Sequence, residues 1–368
     1  MSIFLNKDLL NRSLEIVEKA LPRQSPIQAL QNIHFESKSQ AITLSATNLE
    51  LQIMVSLPYE GEERAKVLLP PQITEIVRFL PSSEIRFDLN SENFQVDLTS
   101  GKARYHIFGA DPADFPVVEK ILPENNEAVT LDPVEFSQIL KMVIFAASTE
   151  ETRPAFNGVL FEFNDNHLNL ICSDTYRLVV KHISDESWNF TARRCLVPAK
   201  ALRELLKILD QSEEKAVFYS ASENLVFDLG PVYFAARLLN EKYPDISSVI
   251  PDRCSTRITI NRSDMERTVG RAALLAEPPN NAINLSVSND SLAVRVSSQV
   301  GRMEEELSVK SEGDEVDIYV NSRFIMDILK AVPVEEIVVD FHGKNGPVIF
   351  RLPDDESYLY LVLPIKMD

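Results

Sequence analysis

Three basic side chains lie on one face of an amphipathic segment in the middle of the chain, between Cys195 and Leu209. A helix would present Lys200, Arg203 and Lys207 together, and clustered cations on a helix are typical of surfaces that bind phosphate. The opposite face is apolar, which predicts burial against a core; it consists of Leu202, Leu205, Leu206 and Leu209. An ordinary solvated helix face is the alternative interpretation of the same charges.

Residue types that perform catalysis or hold metals are present but show no usable spacing. The sequence contains no GxSxG, HExxH or Walker motif, no glycine-rich dinucleotide fingerprint, and only 10 glycines. The histidines and cysteines lack the short spacings of zinc sites; they are His34, His106, His167, His182, His342, Cys172, Cys195 and Cys254. We therefore predict no catalytic site, no metal and no cofactor, unless an active site is assembled from residues far apart in the sequence.

The segment around Lys200 has one relative earlier in the chain and one later. Residues 67–80 and 318–332 also read as the end of a strand followed by an amphipathic helix. Pro198 suits the first turn of a helix, and Asn321, at the equivalent place, suits an N-cap. Together with Pro70, these residues follow one another at intervals of about 125 residues, the size of a small domain rather than of a solenoid repeat.

A second signature recurs with the same period and marks the start of each copy. Asn6, Asp132 and Asn261 each stand between a short apolar run and a helical pattern, as N-caps do. Runs of alternating apolar and polar residues follow each of them and predict antiparallel strands. We predict an α+β fold made of three tandem copies of one domain, at residues 1–125, 126–252 and 253–368.

The charge balance is strongly acidic, since 37 Lys and Arg stand against 55 Asp and Glu, for a net charge of −18. This balance argues against general nucleic-acid binding, but it does not say where the charges lie. Basic residues concentrate on the helices and acidic residues in turns, so we expect one positive face on a negative body. The sequence has no apolar run long enough to span a membrane and no visible signal peptide, which predicts a cytoplasmic protein.

Four segments resemble those of bacterial DNA sliding clamps, the beta subunits of the DNA polymerase III holoenzyme. The most specific features are a Ser-Asp-x-x-Arg-Leu turn and a tail in which a proline and a basic residue follow apolar residues. The four segments are residues 151–162, 172–178, 241–251 and 360–366, and the resemblance covers the whole chain. It implies a non-catalytic processivity factor, built of clamp domains with two helices each. In such a factor a head-to-tail homodimer closes a ring around duplex DNA, with helices inside and sheets outside.

The resemblance implies that residues of the ring interior hold DNA through its phosphates, without reading bases. The residues implied to face DNA are Arg23, Arg78, Arg153, Lys200, Arg203, Asn321 and Arg323. Glu150 replaces an uncharged polar residue that is common in relatives, which argues against close DNA contact by its loop. An acidic exterior would repel DNA from outside the ring, so the net charge of −18 agrees with this interpretation.

The resemblance also implies a cleft between the middle and last domains, where partner proteins insert a short linear motif. An apolar pocket for a Leu or Phe anchor, with a few orienting polar groups, suits such a motif. The implied cleft residues are Phe156, Ser173, Thr175, Tyr176, Arg177, Leu178, Pro244, Val249, Val348, Leu361, Leu363, Pro364, Ile365, Lys366 and Met367. Lys366 stands where an arginine is frequent, and Asp368 extends the tail, so we expect an altered motif preference at a retained site.

The implied partners are duplex DNA, a second copy of the chain, the alpha subunit of the replicative polymerase, the clamp loader, repair polymerases and other clamp-motif proteins, and no membrane. Three other interpretations stay open. A hydrolase or transferase with a dispersed site would show a deep pocket with titratable groups of shifted pKa. A tandem-domain scaffold would show no salt-dependent DNA retention, and a specialised clamp paralogue cannot be separated from a replicative clamp by sequence.

Overall fold

The computed structural model describes residues 2–116, 118–123, 128–150, 152–212, 214–221 and 223–366, and of Ser247 only the backbone. Within them the chain repeats one order of elements three times: a strand, a helix, several strands, a second helix and three more strands. The predicted class, α+β with three tandem copies and antiparallel sheets, is confirmed.

The first copy contains two helices and eight strands among the described residues. Its elements are β1 (Ser2–Asn6), α1 (Lys7–Val17), β2 (Ile33–Lys38), β3 (Ala41–Thr47), β4 (Leu51–Pro58), β5 (Ala65–Leu69), α2 (Gln72–Arg78), β6 (Glu84–Leu89), β7 (Gln95–Ser100) and β8 (Ala103–Phe108). The strands follow the predicted alternation, since every second residue of β4 is buried up to Leu57.

The second copy repeats this order with the same number of helices and strands. Its elements are β9 (Val129–Leu131), α3 (Pro133–Ile144), β10 (Gly158–Asp165), β11 (His167–Ser173), β12 (Arg177–Ser184), β13 (Phe190–Pro198), α4 (Ala199–Leu209), β14 (Ala216–Ala221), β15 (Asn224–Leu229) and β16 (Val232–Arg237). Pro198 is the last residue of β13 and pairs with Gly158, so its predicted place in the first helical turn is wrong by one residue.

The third copy adds one short strand to the common order. Its elements are β17 (Thr256–Asn261), α5 (Arg262–Ala273), β18 (Ala282–Ser288), β19 (Ser291–Ser297), β20 (Arg302–Ser308), β21 (Lys310–Gly313), β22 (Val316–Asn321), α6 (Ser322–Ala331), β23 (Glu336–Phe341), β24 (Val348–Leu352) and β25 (Asp355–Val362). The additional strand β21 pairs with β17, and no counterpart of it is described in the first two copies.

Each predicted N-cap starts its helix. The side-chain oxygen of Asn6 accepts the backbone N–H of Leu9 at 2.9 Å, which satisfies one of the helix's free donors. Asp132 accepts the N–H of Glu135 at 2.9 Å, Asn261 that of Asp264 at 3.1 Å and Asn321 that of Arg323 at 2.9 Å. The local signals in the sequence therefore set these four helix starts.

The chain divides into two compact units, and the division falls inside the second copy, within α3 and α4. One unit comprises Met1–Phe136 and Arg203–Leu238. It holds a four-stranded sheet, β1-β6-β7-β8, and an eight-stranded sheet, β5-β2-β3-β4-β16-β15-β14-β9. The edge strand β4 of the first copy pairs antiparallel with β16 of the second, with Val55 opposite Val232.

The other unit comprises Ser137–Leu202 and Leu239–Asp368. It holds a nine-stranded sheet, β13-β10-β11-β12-β25-β24-β23-β17-β21, and a four-stranded sheet, β20-β19-β18-β22. Here β12 of the second copy pairs antiparallel with β25 of the third, with Leu178 opposite Leu361. Helices α5 and α6 pack together in this unit, as α1 and α2 do in the first.

Candidate motif cleft and basic helices

An apolar cluster covers one face of the nine-stranded sheet where the second and third copies join. Leu178 on β12, Leu361 on β25 and Ile349 on β24 are cross-strand neighbours, so their side chains lie on the same face. We call the cluster the apolar floor; its buried members are Leu160, Ile171, Leu178, Leu196, Tyr243, Ile349, Leu359 and Leu361. It forms because β12 and β25 bring aliphatic residues from both copies into one sheet.

The segment after β16 lies over part of this floor. Leu239 donates its backbone N–H to the carbonyl of Leu196 at 2.8 Å, and the Tyr243 ring packs edge-on against Phe156 at 5.6 Å between centroids. Ile246 and Ile250 also pack on the floor, while Val249 remains 45% exposed. Burial raises the pKa of the Tyr243 phenol, so this side chain stays neutral. Exposed apolar side chains therefore border the buried floor; we call Tyr176, Val249 and Leu363 the rim.

A tight turn forms one side of this rim. Asp174 accepts two backbone N–H groups, from Tyr176 and Arg177, both at 3.0 Å. Ser173 donates its hydroxyl to the Arg177 carbonyl at 2.7 Å and accepts the N–H of Thr175 at 3.1 Å. Thr175 has a φ of 81°, which is unfavourable for a β-branched residue and is maintained here by these bonds.

The C-terminal tail lies against the same turn. Leu363 donates its N–H to the Tyr176 carbonyl at 2.9 Å, and Ile365 donates its N–H to the Tyr319 carbonyl at 2.7 Å. Leu363 is 38% exposed and Tyr176 59% exposed. Pro364 and Ile365 are half-buried, Lys366 is exposed, and Met367 lies outside the described residues. Exposed apolar side chains beside a rigid apolar floor can accept the apolar side chains of a ligand.

Two of the predicted cleft residues do not face this floor. Arg177 precedes Leu178 on the strand, so its side chain points to the opposite face of the sheet, where it contacts Phe145 and Asp327. Val348 is fully buried and pairs with Val362. Val362 follows Leu361 on its strand, so both valines lie on the face of the sheet opposite the floor. Conversely, Arg153, predicted to face DNA, donates from its Nη1 to the Thr175 hydroxyl at 2.8 Å and so belongs to the turn.

Comparisons with known proteins agree along the whole chain. Models of the DNA polymerase III beta subunit match as its N-terminal domain at residues 1–119, its central domain at 130–245 and its C-terminal domain at 247–366. The Beta sliding clamp of Staphylococcus epidermidis is 32% identical over 380 residues, covering 100% of this chain and 99% of the relative. This chain belongs to the bacterial DNA sliding clamp family.

Solved clamps have the same fold. The sliding clamp of Bacillus subtilis is 27% identical, with a TM-score of 0.94 and complete coverage of both chains. A putative DNA polymerase III beta subunit from Eubacterium rectale is 25% identical, with a TM-score of 0.93 and the same coverage. Clamps are non-catalytic accessory subunits of a DNA polymerase, and this clamp is accordingly not an enzyme. No described helix is long and apolar enough to cross a membrane.

The basic residues predicted to face DNA in this clamp lie mainly on the second helix of each copy. Arg78 ends α2, whereas Lys200 and Arg323 are both the second residue of their helices, α4 and α6. Cations near a helix N-terminus oppose the helix dipole, so these two residues do not serve helix stability. Arg23 is exposed after the first helix, and Arg203 is half-buried on α4.

The ion pairs of the basic residues differ between helices. On α5, Arg262 pairs with Glu266, Arg267 with Asp264 and Arg271 with Glu305. Arg78 pairs with the exposed Glu75 and stacks on Phe79. Within the part of the chain that the structure describes, no ion pair is formed by Arg23, Lys200, Arg203 or Arg323. These four cations are therefore available for phosphate, while Asn321 uses its side-chain oxygen as a helix cap.

Most buried residues of the apolar floor of this clamp were not among the predicted cleft residues. Only Leu178 and Leu361 were predicted; the other six are Leu160, Ile171, Leu196, Tyr243, Ile349 and Leu359. From the segment around Tyr243, only Pro244 and Val249 were predicted. Leu359 carries a detectable signal, because it lies two residues before the predicted Leu361 on the same strand and so faces the same side. Ile349 pairs with Leu361 from the neighbouring strand β24, within an apolar run that shows no alternation. Tyr243 lies in a connecting segment without periodicity, and no such signal marks it.

Proposed function

We propose that two copies of this clamp close head to tail into a ring that encircles duplex DNA and slides on it without sequence specificity. The carrying observation is a pair of complementary sheet edges. Strand β8 ends one four-stranded sheet and β20 ends the other. The sequence around β8 is basic, with Lys102 and Arg104, whereas β20 carries the consecutive acids 304–306. Two of these acids also pair with arginines of their own chain, Glu304 with Arg295 and Glu305 with Arg271.

Apolar side chains accompany these edges. Phe108 at the end of β8 is 81% exposed, and Leu274 after α5 is 83% exposed. Exposed edge strands and large exposed apolar residues favour association, and opposite charges set the register and direction of pairing. Pairing β8 of one copy with β20 of the other, twice, joins different surfaces of two identical chains into a closed ring. The domain boundaries proposed for the copies are 1–125, 126–252 and 253–368.

The interior of the ring holds phosphates through a small set of cations. We assign this role to Arg23, Arg78, Lys200, Arg203 and Arg323, with Asn321 beside the last as a polar neighbour. Long cationic side chains attract the phosphate backbone of any sequence. Arg153 is assigned instead to the motif cleft, because it binds the Thr175 hydroxyl.

The cleft tethers partner proteins in the cytoplasm. The apolar floor and its exposed rim, made of Tyr176, Val249 and Leu363, suit a short motif with Leu or Phe anchors. The partners that insert such a motif are the alpha subunit of the replicative polymerase, the clamp loader, repair polymerases and other clamp-motif proteins. Tethering to a sliding ring supplies processivity without any catalytic residue in the clamp, since the polymerase cannot diffuse away between nucleotide additions.

The test is topological. The clamp is loaded on nicked circular DNA by a matching clamp loader and ATP, purified by gel filtration, and the DNA is then linearised. We expect the clamp to co-elute with the circle and to leave the linear DNA. Retention that ignores linearisation and declines steadily with salt would contradict the ring and indicate ordinary electrostatic binding. A loader verified on another clamp is the control.

A further inference from the structure

We propose that Arg177 is a positioning residue of the motif cleft, which holds the 173–177 turn in its binding shape without touching the bound partner. This inference rests on the proposed motif-binding function. It changes the role that the sequence suggests for Arg177, which is direct contact with the motif. Three sets of contacts support it.

The first set is the hydrogen bonding of the guanidinium. Its Nε donates to Asp174 Oδ2 at 2.9 Å, its Nη2 donates to the Phe145 carbonyl at 2.9 Å, and its Nη1 donates to Asp327. Each of the three nitrogens therefore has a partner within the protein. The Arg177 side chain is only 10% exposed, so a ligand on the cleft face has no access to its charge.

Aromatic rings form the second set. The guanidinium carbon lies 4.5 Å from the centre of the Phe324 ring on α6 and 5.6 Å from that of Phe145, which follows α3. Tyr360 packs against Phe145 and donates its hydroxyl to the Phe324 carbonyl at 3.0 Å. Burial lowers the pKa of Arg177, but facing Tyr360, Asp327 and Asp174 raise it by more, so the residue stays charged.

The third set links this buried charge to the cleft. Asp174 accepts the Arg177 Nε on one carboxylate oxygen and the backbone N–H groups of Tyr176 and Arg177 on the other. Tyr176 in turn accepts the N–H of Leu363, which starts the tail. Arg177 thus orients Asp174, Asp174 orients the turn, and the turn fixes the rim residue Leu363. Without this support, the positive φ of Thr175 would favour opening of the turn.

The contact with Asp327 offers a way to perturb Arg177 without changing the cleft itself. Asp327 lies on α6, on the face of the sheet opposite the floor, and its side chain is 40% exposed. An Asp327→Asn substitution weakens the bond to Arg177 without changing any residue of the cleft. Arg177→Lys keeps the charge but loses the planar fork that reaches Asp174, Asp327 and Phe145 together.

The experiment uses two fluorescein-labelled peptides with the same Leu-Phe anchors, one with an Asp and the other with an Asn before the anchors. Their dissociation constants are measured by fluorescence anisotropy for the full-length clamp and for D327N, R177K and the double variant. D264N is the matched control, since Asp264 is also a half-exposed helical aspartate that pairs with an arginine. Hydrogen exchange of the 174–178 backbone is followed in the same proteins without peptide.

We expect D327N to weaken the binding of both peptides by the same factor, about three- to tenfold. R177K should weaken the binding of both by a larger factor. The double variant should be less impaired than the product of the two single effects, because both act through one interaction. Exchange at the turn should accelerate in D327N and R177K and stay unchanged in D264N. An effect of this kind at the turn separates positioning from a general loss of stability.

Other results overturn the proposal. If R177K weakens only the Asp peptide, then Arg177 contacts the motif directly. If D327N changes neither affinity nor exchange, or if the two substitutions are independent, then Arg177 does not hold the turn. Failure of the unmodified clamp to bind either peptide would instead contradict the motif-cleft function, whereas the exchange measurement would still report whether Arg177 holds the turn.

Discussion

Arg257 on β17 and Asp340 on β23 are cross-strand neighbours joined by two hydrogen bonds, Nε to Oδ1 at 2.6 Å and Nη2 to Oδ2 at 2.9 Å. Arg351 on β24 adds a third, from its Nε to Asp340 Oδ2 at 3.1 Å. The Asp340 side chain is 3% exposed. Burial raises the pKa of Asp340, but the two arginines lower it by more, so the carboxylate is ionised in the folded clamp.

We predict that Asp340→Asn destabilises the clamp by about 2 kcal/mol at neutral pH, since it removes charged hydrogen bonds. The folded pKa lies below the unfolded value of about 3.9, so this contribution is present above that value and is lost as pH falls through the folded pKa. Thermal unfolding between pH 7 and 3 should show a steeper loss for the unmodified protein than for D340N. The exposed Asp354→Asn is the control; equal pH profiles of D340N and unmodified protein would refute the role.

The proposed head-to-tail dimer predicts unequal effects of substitutions on the two end strands of one sheet. Phe108 and Phe4 are both exposed, at 81% and 62%, on the end strands β8 and β1. Phe108→Asp would place a charge in the interface and should weaken dimerisation about a hundredfold or more, while Phe4→Asp leaves it unchanged. Sedimentation equilibrium measures both. Equal behaviour of the two variants would show that β8 is not the dimer edge.

Charge reversal at the helix starts should separate stability from DNA binding. Lys200→Glu and Arg323→Glu each replace an unfavourable cation near a helix N-terminus with a favourable anion, which should stabilise the fold by about 0.3–1 kcal/mol. The same changes should weaken DNA binding and lower the salt slope by about one unit for each phosphate that the clamp no longer neutralises. Lys344→Glu, an equal charge change at an exposed loop residue, should affect neither; a matching decrease there would indicate net charge alone.

Substitutions of two exposed valines should differ in their effect on peptide binding. Val249 and Val134 are similarly exposed, at 45% and 54%, but only Val249 borders the apolar floor. Val249→Asp should weaken binding of the Leu-Phe peptide by about tenfold or more, because binding would bury a charge. Val134→Asp on α3 should leave the affinity unchanged. Anisotropy gives the affinity and thermal unfolding confirms the fold. An undiminished affinity of V249D for the peptide would show that the anchor does not bind beside Val249.

Features that depend on neighbouring residues in the chain could be predicted from sequence. Asn6, Asp132 and Asn261 start helices because a short polar side chain reaches an N–H group two or three residues away, in any tertiary setting. Such signals recurred with the period of the domain and so revealed the threefold repeat.

Pairing between copies could not be predicted in the same way. Alternation within β4 shows that Val55 is buried on one face, but not that Val232 of the next copy lies beside it. A sheet edge carries donors and acceptors of uniform type, so sequence gives no partner or register for it.

The cleft was predictable only in part. Leu178 and Leu361, both predicted cleft residues, lie side by side on the apolar floor, whereas Arg177 points away because adjacent strand residues alternate. Because Arg177 and Leu178 are adjacent on a predicted strand, the sequence already indicated that their side chains lie on opposite faces. Tyr243 could not be found, since its position depends on how a connecting segment folds over the sheet.

The sheets that join neighbouring copies also affect how the clamp unfolds. The second copy gives strands to one sheet in each compact unit, so the repeated domain and the compact unit differ by half a repeat. We expect heat to melt this chain in at most two stages rather than three, with the middle module losing its halves separately. An excised middle module would carry two uncovered sheet edges and would aggregate rather than fold alone.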